Sequence, residues 1–284
     1  MHPLIPMFDP PAFELPIPNP VSGEPISIHG FGIMVALGVL LGAKVSMWKA
    51  ARDGLDPEMI NKVVTWLIVG IFVGGHLGHL AFYEPETLLK DPMSIFRVWS
   101  GLSSYGGFLA CTIATVIFFR LYRLNFWAYG DTLAVGLQLG WALGRVGCFV
   151  AHDHIGISTD FWLGVRGVCP GYEGDASLAC HDLGLYEALY SGLFLLPLFL
   201  WLDRKPRFPG FFIGLMALAY GPVRFVMDAF RHPATDTRYY GFTPAQFGSI
   251  IVGLLGVWIL VSRRNVPPVV IRAGKAEDAP ASPA

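Results

Sequence analysis

Residues Val63–Tyr83 read VVTWLIVGIFVGGHLGHLAFY. These 21 residues contain no Lys, Arg, Asp or Glu, and the only strongly polar side chains, His76 and His79, fall near the end. A helix needs about 20 mostly apolar residues to cross the hydrocarbon core of a bilayer, and a helix satisfies its own backbone donors and acceptors there. The stretch therefore predicts a membrane-spanning helix. Six more stretches predict the same: Ser27–Trp48, Ser103–Tyr122, Ala128–Val150, Tyr186–Leu202, Phe211–Phe230 and Pro244–Val261. The expected fold class is all-α, a polytopic membrane protein with about seven transmembrane helices. Composition agrees. The 284 residues are 54% hydrophobic and 14% charged, against roughly 25% charged in soluble domains, and the mean hydropathy is +0.52. A net charge of −1 with no basic tract argues against a nucleic-acid partner.

Working outward, residues 1–26 hold eight prolines and no Lys or Arg. That excludes a helix and the basic start of a signal peptide, leaving a Pro-rich extracytoplasmic segment. Residues 27–262 are the membrane domain, with a long loop over about 151–185, and residues 263–284 read as a disordered cytoplasmic tail. With the N-terminus outside, the inner segments carry twelve basic residues and the outer ones five. The positive-inside rule therefore predicts N-terminus outside and C-terminus inside. The loop at 151–185 then lies outside, where Cys169 and Cys180 either form a disulfide or remain two thiols.

This orientation gathers the polar residues of the spans at one end. All eight histidines fall in the outer halves or outer segments, with Tyr105, Arg145, Asp153, Glu187, Tyr220, Arg224, Asp228, Arg231 and Gln246. The inner halves hold Lys44, which can snorkel, and otherwise little beyond apolar and small polar residues. An arginine within a span is costly and usually functional. Arg145 and Arg224 have two readings. One is interhelical pairing with Asp153, Asp228 or Glu187. The other is anion binding, since guanidinium suits phosphate geometry, and the phosphate at an outer leaflet belongs to a lipid headgroup. Cys148 reads as an activated thiol beside Arg145 or as a small buried residue.

The segment Gly144–Gly156, GRVGCFVAHDHIG, resembles the G-R-x-G-N-F-x-N-x-E-x-x-G signature of the prolipoprotein diacylglyceryl transferases. In the same order as in that family, GGHLG at 74–78 resembles G-G-R-x-G. SSYGG at 103–107 resembles S-x-H-G-G, and HDLGLYE at 181–187 resembles H-P-x-Q-L-Y-E. Tyr220–Phe225, continuing through Asp228, Arg231 and Pro233, resembles Y-G-x-x-R-F-x-x-E-x-x-R-x-P, and Thr243 with Gln246 resembles T-x-G-Q. The resemblance implies seven spans and a bacterial inner-membrane location with the site at the periplasmic leaflet. It implies transfer of a diacylglyceryl group from phosphatidylglycerol to the lipobox cysteine of a preprolipoprotein, with no metal or diffusible cofactor. Tyr105, Arg145 and Arg224 would be catalytic. Arg145, Asp153, Glu187, Tyr220, Asp228, Arg231 and Gln246 would bind substrate.

The chain departs from the family pattern within these motifs. Tyr105 replaces a histidine to which proton transfer is assigned, Cys148 and Ala151 replace asparagines, and His76 replaces an arginine. Asp153 and Asp228 replace glutamates, and Asp182, Leu183 and Gly184 replace P-x-Q. Two other readings follow. A lapsed or repurposed paralogue would bind lipid without transfer. A metal-dependent membrane hydrolase would use His76 with His79, or His152, Asp153, His154 and His181, although H-E-x-x-H is absent.

Overall fold

The structure, a computed structural model, describes residues 3–10, 12–18, 25–97, 100–232 and 238–268. Every apolar stretch is a helix: α1 (Gly30–Arg52), α2 (Pro57–Phe82), α4 (Ser104–Leu121), α5 (Phe126–Val150), α6 and α7 (Leu183–Leu189 and Leu196–Leu202), α8 (Phe211–Ala229) and α9 (Pro244–Arg263). Between α2 and α4 lie the short α3 (Pro85–Lys90) and a 3₁₀ turn at Pro92–Phe96. Six spans, counting Leu183–Leu202 as one, are long and apolar enough to cross a membrane, and α4 is a shorter apolar seventh. The tail expected to be disordered lies from residue 269 outside the described residues, as does much of the Pro-rich start.

Helix ends follow local chemistry more than hydropathy. The α2 helix starts six residues before Val63 because Asp56 caps it, accepting from the Glu58 backbone N–H at 2.8 Å, with Pro57 in the first turn. Ser103 caps α4 and Asp182 caps α6. A reciprocal Thr243–Gln246 capping box opens α9. Leu183–Leu202 is not uniform, because Tyr190–Leu195 winds as a π-helix. There the Gln138 side-chain amide of α5 donates to the Ser191 carbonyl at 3.2 Å, pairing a backbone group where the regular ladder is interrupted.

Two small antiparallel sheets add to the helices. Strands β1 (Phe13–Pro18) and β2 (Pro25–Ile28) form a hairpin. The expected loop over 151–185 instead holds a sheet of order β3–β5–β4, built from Ile155–Ser158, Ala179–Asp182 and Val165–Arg166. Cys169 and Cys180 are joined in a disulfide there, with Cα atoms 5.3 Å apart. They pack with Ile155, Val165 and Val168 in a small core.

The chain divides into two compact units. One comprises Met1–Ser46 and Gly130–Val270. Its helices approach through glycines. A Cβ on Gly38 would lie 2.7 Å from the Gly140 carbonyl oxygen, and one on Gly221 would lie 2.8 Å from that of Ser249. Small residues allow such backbone contact where burial of apolar surface gives little drive between helices. Asp131 corrects the expectation that the other ends are merely apolar. Its carboxylate accepts backbone N–H bonds from Gly210, Phe211 and Ile213 at 2.8, 3.1 and 3.0 Å, holding the start of α8.

The second unit comprises Met47–Tyr129 and Ile271–Ala284, and its described part centres on α2 against α4. Gly78 and Gly106 meet there. A Cβ on Gly106 would lie 2.7 Å from the Gly78 Cα, whereas one on the adjacent Gly107 would lie 3.6 Å from its nearest neighbour, the Ile71 oxygen. We expect Gly106→Ala to destabilise the protein by about 1–3 kcal/mol through overpacking, and Gly107→Ala to be neutral or slightly stabilising. Thermal unfolding of the two variants in detergent checks this, and equal melting temperatures would contradict the packing account.

Candidate functional site

The polar groups of the first unit meet at one carboxylate. Glu187, on α6, is 1% exposed. Its Oε1 accepts from Arg224 at 2.6 Å, and its Oε2 accepts from the Tyr220 hydroxyl at 2.6 Å and lies 2.9 Å from Arg145 Nε. Three helices, α5, α6 and α8, are tied through this group. Arg224 continues to Asp228 at 3.2 Å, one turn on, and Arg231 lies 3.7 Å from the same Asp228 oxygen. The other Asp228 oxygen accepts from the Thr243 hydroxyl at the cap of α9. Charge thus alternates along Arg145, Glu187, Arg224, Asp228 and Arg231.

Arg145 is placed by more than charge. Its guanidinium carbon lies 4.6 Å from the centroid of the Trp141 ring, a cation–π contact one turn back on α5. The same ring meets Tyr220 edge to face at 5.4 Å. One terminal nitrogen donates to the Tyr220 hydroxyl at 3.3 Å. The other faces the Cys148 sulfur at 3.8 Å, a weak acceptor. Among the described residues that nitrogen has no oxygen partner. An anionic oxygen placed there would gain a charge-assisted hydrogen bond at little competing cost.

Beside this corner the chain leaves α5 and turns into β3. His152 takes a positive φ of 48°. Its ring nitrogens lie 3.2 Å from Asp182 Oδ2 and 3.1 Å from the Phe8 carbonyl oxygen. The hydrogen bond to Asp182 holds its pKa above the usual value. His154 lies with Nδ1 3.2 Å from Asp153 Oδ2, off hydrogen-bond alignment. Burial, and then the positive charge of Arg145, push its pKa down. His181 bonds the Tyr186 hydroxyl at 2.8 Å, and burial lowers its pKa also. Donor atoms of Cys148, Asp153 and His154 all lie within 4.8 Å of one another.

The structure thus brings together Arg145, Glu187, Tyr220, Arg224, Asp228 and Arg231 from the sequence set. Asp153 stands apart from that network, with its side chain 64% exposed and beside His154. Gln246 is committed to the cap of α9, and its amide donates to the Phe225 carbonyl at 3.2 Å. Tyr105 belongs to the other unit, on the first turn of α4, and is 61% exposed. Pro233 lies outside the described residues. The histidines on α2 have two readings, hydrogen bonding or a shared metal. His76 lies 3.3 and 2.9 Å from the carbonyls of Gly101 and Ser94, so both its nitrogens are engaged in bracing the end of that helix rather than sharing a ligand with His79. Sequence reasoning missed Trp141, which was readable as an aromatic four residues before Arg145, a spacing that faces one helix neighbour with another. It marked Thr243 by its motif but not its contact with Asp228, 15 positions earlier, which no local pattern announces.

Known proteins match this chain over nearly its whole length. The family description "Prolipoprotein diacylglyceryl transferase" matches residues 18–262. A protein of Solidesulfovibrio magneticus, named phosphatidylglycerol–prolipoprotein diacylglyceryl transferase, is 33% identical over 264 residues, covering 90% of this chain and 97% of its own. A protein of the same name from Mannheimia succiniciproducens is 30% identical over 262 residues, covering 90% of this chain and 93% of its own. One from Roseobacter denitrificans is 31% identical, covering 88% and 98%. The match takes in both arginines, the carboxylate between them and every helix that carries them, and the chain belongs to the prolipoprotein diacylglyceryl transferase family.

Proposed function

We propose that this protein transfers the diacylglyceryl group of phosphatidylglycerol to the cysteine thiol of a prolipoprotein lipobox. Family membership and the names of the relatives support the reaction. The observation that carries it to this chain is Arg145, anchored through Nε on Glu187 and turning a terminal nitrogen toward nothing stronger than a thiol.

In this reading Arg145 and Arg224 are the catalytic cations. The headgroup phosphate sits against Arg145, and Arg224 sets the field from across Glu187. Sulfur attacks the glyceryl carbon that bears the phosphoester. The carbon–sulfur bond forms, the carbon–oxygen bond breaks, and its electron pair leaves on glycerol phosphate. Negative charge grows on that leaving group, so fixed cations stabilise the transition state more than the ground state. Tyr220 holds Arg145 to Glu187, while Asp228, Arg231 and Gln246 keep the α8–α9 end in register with the bound lipid. Asp153, exposed beside His154 and outside that network, is assigned contact with substrate. The basic-residue pattern supports an inner-membrane protein with its N-terminus outside and this site at the periplasmic leaflet.

In proteoliposomes containing phosphatidylglycerol and a lipobox peptide, we expect Arg145→Ala to lower the transfer rate by at least about 10²–10³-fold, the scale for removing one fixed donor to developing negative charge. We expect Arg224→Ala to do the same. Full activity in either variant contradicts the phosphate assignment. Phosphatidylglycerol binding without release of glycerol phosphate by the wild type would instead support a lapsed, lipid-binding paralogue. The Arg145→Ala result is readable because Glu187 keeps Arg224 and Tyr220. Removing the shared carboxylate is different. Glu187→Gln leaves two buried cations facing one another, and we expect a loss of about 3–5 kcal/mol in stability. Unchanged thermal unfolding of that variant would show that the carboxylate does not hold the site together.

A further inference from the structure

A thiol is a poor nucleophile until it loses its proton. A group in this chain must therefore accept that proton if the proposed transfer takes place. Three histidines lie near the end of α5 and in the sheet that follows it. His152 spends both ring nitrogens, on Asp182 and on the Phe8 carbonyl. His181 is held by the Tyr186 hydroxyl. His154 differs. Its Nδ1 is enclosed and faces Asp153 Oδ2 at 3.2 Å, and its Nε2 makes no hydrogen bond among the described residues. Its backbone carbonyl accepts from the Leu183 N–H at 3.0 Å, which fixes it to the start of the helix that carries Glu187.

His154 also borders the phosphate corner. One of its ring nitrogens lies within 4.8 Å of the Cys148 sulfur, which is itself 3.8 Å from Arg145. We propose that His154 is the catalytic base that takes the proton of the acceptor thiol, and that Asp153, whose carboxylate stands 3.2 Å from Nδ1, is a positioning residue that acts on the ring through its charge. This rests on the transferase reading above. The thiol proton passes to Nε2 and the sulfur pair forms the bond to the glyceryl carbon. The carbon–oxygen pair departs on glycerol phosphate, which then takes the proton from the imidazolium, its second pKa being near 6. The charged and titratable groups around the ring are Asp153 on its own turn, Arg145 and Cys148 on α5, Arg224 on α8 and Arg231 just beyond it. Burial first, and then Arg145 with Arg231 and Arg224, lower its pKa against the opposing charge of Asp153, which favours the neutral form a base requires.

The test is the pH dependence of kcat/KM for lipobox-peptide transfer in phosphatidylglycerol proteoliposomes. Wild type should rise with pH through a midpoint below the usual imidazole value of about 6.5. His154→Gln should lose about 10²–10⁴-fold in kcat with its KM for phosphatidylglycerol little changed, and should lack that rising limb. Asp153→Asn removes a charge that favours the imidazolium, so it should move the midpoint to lower pH. Added imidazole should restore part of the activity of His154→Ala, a rescue that a merely misfolded variant cannot show. Transfer by His154→Gln at the wild-type rate with the same pH profile overturns this inference and leaves the transferase reading standing. No transfer by wild type removes both. Stoichiometric zinc in purified wild type, lost in His154→Gln, would also overturn it, because the ring would then serve the metal.

Discussion

One buried carboxylate organises the polar end of this protein. Glu187 receives Arg145 from α5 and both Tyr220 and Arg224 from α8, while standing on α6 itself. Two guanidinium groups in a low-dielectric setting repel one another and carry a large desolvation cost. A shared anion, itself fully hydrogen-bonded, offsets both. The helices that supply these groups are therefore held in one register at this end, whatever their apolar faces would tolerate elsewhere. Glycine contacts, such as that between Gly38 and Gly140, let the backbones approach but do not specify register so sharply.

The same arrangement separates holding from acting. Arg224 is bound on two sides, by Glu187 and Asp228, and in the proposed reaction acts on the phosphate through its field from that fixed position. Arg145 is fixed by Nε, by the Trp141 face and by Tyr220, yet keeps a terminal nitrogen directed at a thiol. A cation pinned on one edge and open on another suits a ligand that arrives charged and leaves more charged. In the proposed reaction the phosphate does this, passing from a diester to a monoester.

Much of the fold was legible because lipid imposes length. Each uninterrupted apolar run became a helix, and the errors lie at ends where a capping residue, such as Asp56, extends the helix beyond its apolar part. The sheet at residues 155–182 was not legible. Its strands are two to four residues long and are held by a disulfide rather than by an alternating pattern. The π-turn at Tyr190–Leu195 also escaped, and the side chain that pairs with its backbone, Gln138, lies 53 positions away in sequence. In the site, charge inside a span singled out Arg145, Glu187, Arg224 and Asp228, which the structure brings into contact, because buried charge needs a partner. Charge alone did not say which acid pairs with which arginine. Asp153 carried the right charge but stands outside the network beside His154, and Gln246 is drawn into a helix cap. Three departures from the family's motifs, Cys148, Ala151 and Asp153, lie in the Gly144–Gly156 segment that carries Arg145, and the Glu187 network keeps its charges with an aspartate at Asp228.

The central claim is that Arg145, held by Glu187, recognises a lipid phosphate. Native mass spectrometry of the detergent-purified protein, offered phosphatidylglycerol and diacylglycerol of matched chains, tests it most directly. Phosphatidylglycerol should be retained in preference by the wild type, and that preference should vanish in a folded Arg145→Ala variant. Equal retention of the two lipids by the wild type, or an unchanged preference in the variant, would contradict the account.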